Sequence, residues 1–431
     1  MDDLAVQDRN PTVAIETHGC KLNQADSAII ASSFLDAGFK AVSPSEAADV
    51  YLVNTCTVTH VADRKARQSL RAARRRNPGA TIIAAGCYPQ RSRAPLEAMS
   101  EVDLVVGRDH PADLPKRLAE QWAGPGVEGP ERGEALGPGA APVRTRVMVK
   151  IQEGCDQVCA FCIVPKVRGR ERSFQPDEII GRINGYLSTG FKEVVLTGTQ
   201  LGSYGFDLPG IDLSGLLKRV LAETDVQRLR VSSLQPQEVD STLLKLWEDP
   251  RLCPHFHLAL QSGSDRVLKR MRRRYTARQY EERIVAIRSA VPGVSVTTDV
   301  IVGFPGETEE DFRATYELCD RAGFSSMHVF PYSVRPGTSA AHFGQSVEPA
   351  IKAGRMRELL ALSRRHEATY REALAGSTRQ VLWEGRKGDG WSGLTDNYVR
   401  VAARSTRSLS NEITLARLLE REGDIVLAEV Q

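Results

Sequence analysis

Ile151-Gln152-Glu153-Gly154-Cys155-Asp156-Gln157-Val158-Cys159-Ala160-Phe161-Cys162 carries three cysteines in a C-x-x-x-C-x-x-C run. Three thiolates this close suit three irons of a 4Fe–4S cluster, and such clusters ordinarily take four. One iron is then left open to a small ligand. The run therefore points to chemistry rather than to electron storage.

The run follows a β-prone segment, Val147–Ile151, and strand–helix alternation continues from it to about Arg335. Further strands are expected at Glu193–Gly198, Arg228–Ser232, His255–Leu260, Ser295–Val302 and Met327–Tyr332, with a helix at Ala277–Ala290 among the connections. About six β/α units suggest a partial or full barrel, whose chemistry belongs at the carboxyl ends of the strands. A cysteine loop after the first strand is in the right place. A helix is expected over about Pro349–Ala375. Beyond Gly376, short strands at Arg379–Trp383, Tyr398–Ala402, Glu412–Leu415 and Ile425–Glu429 between Gly-rich turns suggest a small β-barrel.

Upstream, the first 110 residues also alternate. Strands are expected at Val13–Thr17, Val50–Asn54, Thr81–Ala85 and Val102–Val106, and helices at about Asn23–Ala37 and Val61–Arg76, the second stopped by Asn77-Pro78-Gly79. This is the pattern of a doubly wound parallel sheet. Cys20, Cys56 and Cys87 each lie just past one of its first three strands. Open α/β sheets build sites at that edge, so the three thiols could converge. Their spacings of 36 and 31 residues match no local metal motif, and independent small residues in tight turns remain the alternative. Residues 123–141 hold six Gly and three Pro and read as a linker. Gly124-Pro125-Gly126-Val127-Glu128-Gly129 fits a dinucleotide pattern by letter, but it follows no strand and contains Pro.

The chain has 431 residues, 41% hydrophobic and 26% charged, with a net charge of +3. This suits a globular protein of two or three domains. No apolar run is long enough for a membrane span, and the acidic start Met1-Asp2-Asp3-Leu4 lacks a secretory pattern, so a cytoplasmic location is expected. Basic runs at Arg64–Arg76, seven basic residues, and Arg266–Arg274, six, contain no acid and could grip phosphates, or form solvated helix faces. Eight cysteines are too few for a disulfide scaffold. Cys253 and Cys319 stand alone and read as small buried residues.

Cys155-x-x-x-Cys159-x-Phe161-Cys162 resembles the radical S-adenosylmethionine motif, and Cys20, Cys56 and Cys87 ahead of it resemble the methylthiotransferase family in particular. Gly19-Cys20-Lys21-Leu22-Asn23-Gln24, Asn54-Thr55-Cys56-Thr57-Val58-Thr59, Gly86-Cys87-Tyr88, Leu260-Gln261-Ser262-Gly263 and Gly303-Phe304-Pro305-Gly306-Glu307-Thr308 extend the likeness over nearly the whole chain. Cys20–Gln24 and Ala62-Asp63-Arg64-Lys65 are similar to the branch that acts on threonylcarbamoyladenosine beside the tRNA anticodon. Sister branches act on isopentenyladenosine in tRNA or on an aspartate of a ribosomal protein. The resemblance implies an α/β protein in three parts. These are an N-terminal methylthiotransferase domain at 1–122, a radical (β/α)6 partial barrel at 142–375 after the 123–141 linker, and a TRAM-like RNA-binding β-barrel at 376–431.

It further implies a sulfur-group transferase that replaces the adenine C2–H with a methylthio group. Cys155, Cys159 and Cys162 would ligate the catalytic cluster, which cleaves S-adenosylmethionine. Cys20, Cys56 and Cys87 would ligate a second 4Fe–4S cluster that supplies sulfur. Gly198, Gln200, Ser232, Gln261, Asp299, Ile301 and Gly303, at strand ends, would contact S-adenosylmethionine, though such residues also serve ordinary strand-ending turns. Arg168-Gly169-Arg170-Glu171-Arg172 could hold substrate phosphate or screen the catalytic cluster, and Trp383, Trp391 and Tyr398 could stack RNA bases or fill the barrel core. The expected partners are the anticodon loop of tRNA and an electron donor such as flavodoxin or ferredoxin, with the enzyme a monomer off the membrane. The rival from another class is a zinc-bearing RNA-binding protein, but structural zinc takes four closed ligands and each cysteine set offers three.

Overall fold

A computed structural model describes residues 10–108, 113–120, 145–388 and 390–431. The linker expected at 123–141, its glycine motif and the N-terminal residues lie outside these. The chain divides into two compact units, one of residues 1–142 with Ile163–Gly169 and the other of Val143–Cys162 with Arg170–Gln431. The chain thus leaves the second unit just after Cys162 and re-enters it at Arg170.

In the first unit five parallel strands form one sheet. Its order is Lys40–Val42, Thr12–Thr17, Val50–Thr55, Thr81–Gly86, Leu104–Val105. The central strand is buried at every position, as a run of Val, Tyr and Leu covered on both faces must be. Helices Lys21–Asp36 and His60–Arg76 cover it. The second starts at Thr59, whose side chain accepts from Ala62 N at 3.1 Å, a cap worth about 1 kcal/mol. Arg74, Arg75 and Arg76 in its last turn suit the negative end of its dipole. The sequence reading missed the three-residue edge strand and overran the last one.

In the second unit, Arg146–Lys150, Glu193–Thr197 and Arg228–Val231 form one parallel sheet, and Ser233–Leu234, His255–Leu258, Ser295–Val302 and Ser326–Pro331 another. Ser232 is the only residue between the two sheets, so the third strand spans both. Six strands in chain order make the expected (β/α)6 partial barrel. Along Ser295–Val302, Val296, Thr298, Val300 and Val302 are buried against the helices, and Thr297, Asp299 and Ile301 face the lumen.

Helix Pro349–Glu372 leads to a closed five-stranded barrel of Thr378–Lys387, Gly390–Thr395, Arg400–Ala403, Ile425–Val430 and Ile413–Glu422. Trp383 and Trp391 are buried in its core. The Tyr398 ring lies 4.7 Å from that of His255 and 4.8 Å from the Arg230 guanidinium carbon. The two tryptophans therefore fill the core, whereas Tyr398 is 39% exposed. Arg228 joins the two parts of this unit, donating to Leu394 O at 3.0 Å and Thr395 O at 2.9 Å.

Candidate functional site: two three-thiol centres

In the first unit the strand-end loops do bring their thiols to one place. Cys20 caps helix Lys21–Asp36, Cys56 follows strand Val50–Thr55, and Cys87 opens the short helix Cys87–Arg91. Asn23 is their hub. Its Nδ2 donates to His18 O at 2.8 Å and Thr55 O at 3.0 Å, tying the loops that precede Cys20 and Cys56. Its Oδ1 lies 3.8 Å from the sulfurs of both Cys20 and Cys87. A side chain at Gly19 would lie 2.8 Å from Cys56 Sγ, so only glycine lets the Cys20 loop lie against Cys56. Burial pushes the Cys56 thiol up to about 12, and the neighbouring Cys20 and Cys87 add to the rise. Burial also raises Cys87, against the pull of Arg168.

Arg168 was expected beside the other cysteine run. It belongs instead to the first unit, 4% exposed, with Nη2 donating to Asn23 Oδ1 and paired with Asp26 Oδ2 at 3.0 Å. Ile163 and Val167, one turn apart, pack on Cys87. Sequence reasoning missed Asn23 and Asp26, although Asn23 stood inside a quoted motif. Of the same run, Arg170 is exposed and pairs with Asp156 at 3.1 Å, and Arg172 lies over Phe174.

In the second unit Cys155, Cys159 and Cys162 sit in one loop, each partly exposed. The loop is pinned at its centre, where Ala160 N donates to Met271 O at 3.0 Å and Ala340 N to Ala160 O at 2.8 Å. Ala160 is buried with Val267, Met271 and Phe304, and Phe161 packs on that cluster. Gln157 N donates to Cys155 Sγ at 3.4 Å, and Arg273 Nη1 to Cys159 Sγ at 3.5 Å. Burial raises the Cys155 thiol to about 11, and Cys159 adds to it. Arg273 belongs to the second basic run, in which Arg266, Lys269, Arg272 and Arg274 are exposed. Arg266 pairs with Asp311. In the first run Arg67 donates to Tyr88 Oη at 2.7 Å and Arg74 pairs with Asp103 at 2.6 Å, while Arg64, Lys65 and Arg75 remain exposed.

The residues expected to meet a cofactor lie along strand ends of this unit. A Gly198 side chain would lie 3.0 Å from Gln152 Oε1, which accepts from Thr199 N at 2.8 Å and Gln200 N at 2.9 Å. Thr199 Oγ1 is buried without a partner among the described residues. Gln200 hydrogen-bonds Glu238 and Gln235, and Gln235 Nε2 reaches Gln157 Oε1 at 3.0 Å, linking this strand end to the cysteine loop. Ser232 is buried, its N donating to Leu196 O at 3.0 Å. Gln261 has φ +66 and exchanges backbone bonds with Asp299 O, 2.8 Å, and Ile301 N, 2.9 Å. Gly303, φ +70, donates to Glu307 Oε1 at 3.0 Å. Glu238 and Arg273 were missed. Burial carries the Glu238 carboxyl up to about 7, opposed by the Gln235 backbone and Arg273, and Arg273 Nη2 is buried without a partner among the described residues. Their roles depend on contacts with residues far apart in sequence. Cys253 and Cys319 are buried singly, as expected.

A six-stranded parallel partial barrel with a C-x-x-x-C-x-x-C loop after its first strand is the architecture of the radical S-adenosylmethionine class. The profile of the Radical SAM superfamily matches residues 149–319, and that of the uncharacterized protein family UPF0004 matches residues 12–107. The chain is 38% identical to threonylcarbamoyladenosine tRNA methylthiotransferase MtaB of Bacillus subtilis, over 95% of this chain and 94% of that one. It is 41% identical to the MtaB of Aquifex aeolicus, over 90% and 96%, and 35% identical to tRNA-2-methylthio-N(6)-dimethylallyladenosine synthase of Moorella thermoacetica, over 97% and 98%. A solved radical S-adenosylmethionine methyltransferase, TsrM of Kitasatospora setae, shares the fold at TM-score 0.53 and 16% identity, over 77% of each chain. The chain belongs to the radical S-adenosylmethionine methylthiotransferase family. No described helix is long and apolar enough to cross a membrane.

Proposed function

We propose that the protein is the tRNA methylthiotransferase that adds a methylthio group to C2 of N6-threonylcarbamoyladenosine beside the anticodon. The observation that carries this reading is the presence of two separate three-thiol centres, one in each unit. Two relatives matched over 90% or more of both chains bear that activity in their names. The cysteine sets fit the cofactors implied. Thiolates are the ligands of iron–sulfur clusters, and three in each set leave a position for an exogenous ligand. Among the described residues Thr199 Oγ1, just past strand Glu193–Thr197, and Nη2 of Arg273, whose Nη1 donates to Cys159 Sγ, are buried polar atoms without a partner.

In this reading Cys155, Cys159 and Cys162 hold the 4Fe–4S cluster that binds S-adenosylmethionine, and Cys20, Cys56 and Cys87 hold the one tied to sulfur transfer. Bound there, these groups supply the radical chemistry needed to replace an unactivated aromatic C–H. The chain's own residues fix and shield them. Asn23 and Arg168 hold the first set, and Arg273 and the Gln157–Gln235–Gln200 chain flank the second. Gly198, Gln200, Ser232, Gln261, Asp299, Ile301 and Gly303 line the strand ends facing S-adenosylmethionine, and Cys155, Cys159 and Cys162 are the catalytic set. We further propose the organisation 1–122, 142–375 and 376–431 around a 123–141 linker. The enzyme acts as a monomer beside tRNA in the cytoplasm, reduced by a donor such as flavodoxin or ferredoxin.

Nucleoside mass spectrometry on tRNA from a deletion strain tests the reading. The methylthio form of threonylcarbamoyladenosine should vanish and return with the intact gene. Unchanged levels would refute the substrate. Anaerobically reconstituted enzyme should carry iron for two clusters, and replacing either cysteine set with alanine should remove half of it. A colourless, zinc-loaded protein would favour the binding-protein rival.

A further inference from the structure

The lumen of the partial barrel carries a ladder of polar side chains of which the chemistry above uses only Asp299. His255 Nε2 lies 3.3 Å from Thr297 Oγ1, which lies 3.0 Å from His257 Nδ1. His257 Nε2 is 3.3 Å from Asp299 Oδ2, and Asp299 Oδ1 is 3.2 Å from His328 Nδ1. Side-chain exposure climbs along it, 9% at His257, 31% at Asp299 and 62% at His328. One end is buried under Tyr398 and the other opens to solvent. Burial pushes the Asp299 carboxyl up, but bonds from His257 and His328 outweigh it and hold it well below the usual range. An ionised carboxylate facing Nδ1 needs a proton there, so His328 donates to Asp299. The ring is thereby locked in orientation by a buttressed acceptor.

What His328 faces is set by strand register. Asp299 pairs with His328 and Ile301 with Phe330 across neighbouring strands. Phe330 is itself 43% exposed, its ring 6.4 Å from that of His328. The lumen wall therefore offers a flat apolar step, Ile301 and Phe330, next to a polar step, Asp299 and His328. Aromatic side chains stack unpaired bases. A protonated imidazole donates from both nitrogens and forms its stronger bonds with anions. A threonylcarbamoyl substituent carries a carboxylate, while a dimethylallyl substituent is wholly apolar.

We propose that Phe330 stacks the target base and that His328, held by Asp299 and His257, reads the carboxylate on its N6 substituent. This rests on the substrate reading above and deepens it. His328 is then a specificity-determining residue, and the ladder behind it a positioning device. An apolar side chain there would remove a feature that distinguishes an anionic substituent from a hydrocarbon one.

The test is binding of the full-length, cluster-loaded enzyme to anticodon stem-loop RNA bearing threonylcarbamoyladenosine, dimethylallyladenosine or plain adenosine, by anaerobic titration. The readout is the ratio of affinities, which is independent of turnover. Wild type should prefer the threonylcarbamoyl RNA. His328→Leu should shrink that preference roughly tenfold, and His328→Gln, which keeps a donor, should restore part of it. Iron content and the far-ultraviolet spectrum report that the variants fold. A His328→Leu enzyme that keeps the wild-type preference would overturn the assignment and leave the substrate reading intact. Wild type showing no preference among the RNAs would overturn both. Weaker binding of S-adenosylmethionine alone by His328→Leu, with the RNA preference unchanged, would show that the residue serves the cofactor and would also overturn it.

Discussion

Arg168 donates through Nη2 to Oδ1 of Asn23, the same oxygen that faces the sulfurs of Cys20 and Cys87. Two residues 145 apart in the chain thus share the centre of one thiol set. The arginine also neutralises Asp26 at 3.0 Å, so its loss would remove a cation from beside a largely buried carboxylate. A cluster held by thiolates is anionic, and a buried guanidinium one hydrogen bond away lowers the cost of that charge. Arg168→Met should therefore lose iron from the first set and spare the second. The comparison is iron and sulfide per chain in a background with Cys155, Cys159 and Cys162 replaced by alanine, where only the first set can load. Arg168→Lys should fall between, since lysine keeps the charge but loses the planar fork that spans Asn23 and Asp26. Equal loading of the Met variant and its parent would exclude the role.

Gly86 bears on the same centre from the backbone side. Its φ is +95, and a side chain there would lie 2.6 Å from Thr55 O and 2.8 Å from Thr55 N. Both the left-handed backbone and the close approach demand glycine. Gly86→Ala should cost at least about 1–2 kcal/mol and misplace Cys87, which follows directly. Thermal unfolding should show the loss, and iron bound by the first set should fall with it. Wild-type loading with an unchanged melting temperature would count against it.

Much of this architecture is legible in the chain because its signals are local. Strands such as Val50–Thr55 and Glu193–Thr197 carry apolar runs, Val50–Val53 and Val194–Leu196, and Cys20, Cys56, Cys87 and Cys155 each lie one to three residues past a strand. Other features depend on closure in three dimensions. Gly390–Thr395 reads as a turn, yet it is a strand, because a side chain at Gly393 would lie 2.8 Å from Trp383 Cε3 in the tight interior of the closed barrel. The same closure draws Trp383 and Trp391 inward, where RNA stacking seemed as natural a use. Arg168 looked like part of the radical loop, but chain proximity to Cys162 says nothing about which core Ile163 and Val167 join. Asp299 was legible as a strand-end polar residue. Its histidine partners were not, because register pairs it with His328 from a strand 29 residues away.

Glu238 should make stability fall as pH rises. Its carboxyl titrates at about 7 in the fold against an ordinary 4.5, chiefly through burial. A raised carboxyl means that the native state holds a proton the unfolded chain has released between those values. The contribution is thus neutral below the lower value, grows unfavourable across the window and stays so above it. Glu238→Gln removes the charge and keeps one oxygen to accept from Gln200 Nε2 or Gln235 N, its amide NH2 taking the place of the other. In cluster-free protein it should be stabilising by up to about 3 kcal/mol at pH 8 and by clearly less at pH 5. Denaturant midpoints at both values decide it, and an equal difference at the two would rule burial out as the cause.

Glu193 closes the far end of the barrel. It pairs with Arg228 at 2.7 Å and Arg230 at 3.0 Å, all three essentially inaccessible. Burial pushes its carboxyl up, but the two guanidinium groups outweigh that and hold it at about 2. Arg228 also donates to the carbonyls of Leu394 and Thr395, and Arg230 lies under Tyr398, a residue in the left-handed region at φ +71. One carboxylate therefore anchors the cations that attach the C-terminal barrel. Glu193→Gln strands two buried positive charges and should cost about 3–5 kcal/mol. The damage should concentrate at this joint, so protease should cut near Gly376 sooner than in wild type while the cysteine loop at 155–162 still loads iron. A variant that unfolds in one step, with no early cleavage there, would mean that the trio stabilises the barrel as a whole rather than the attachment.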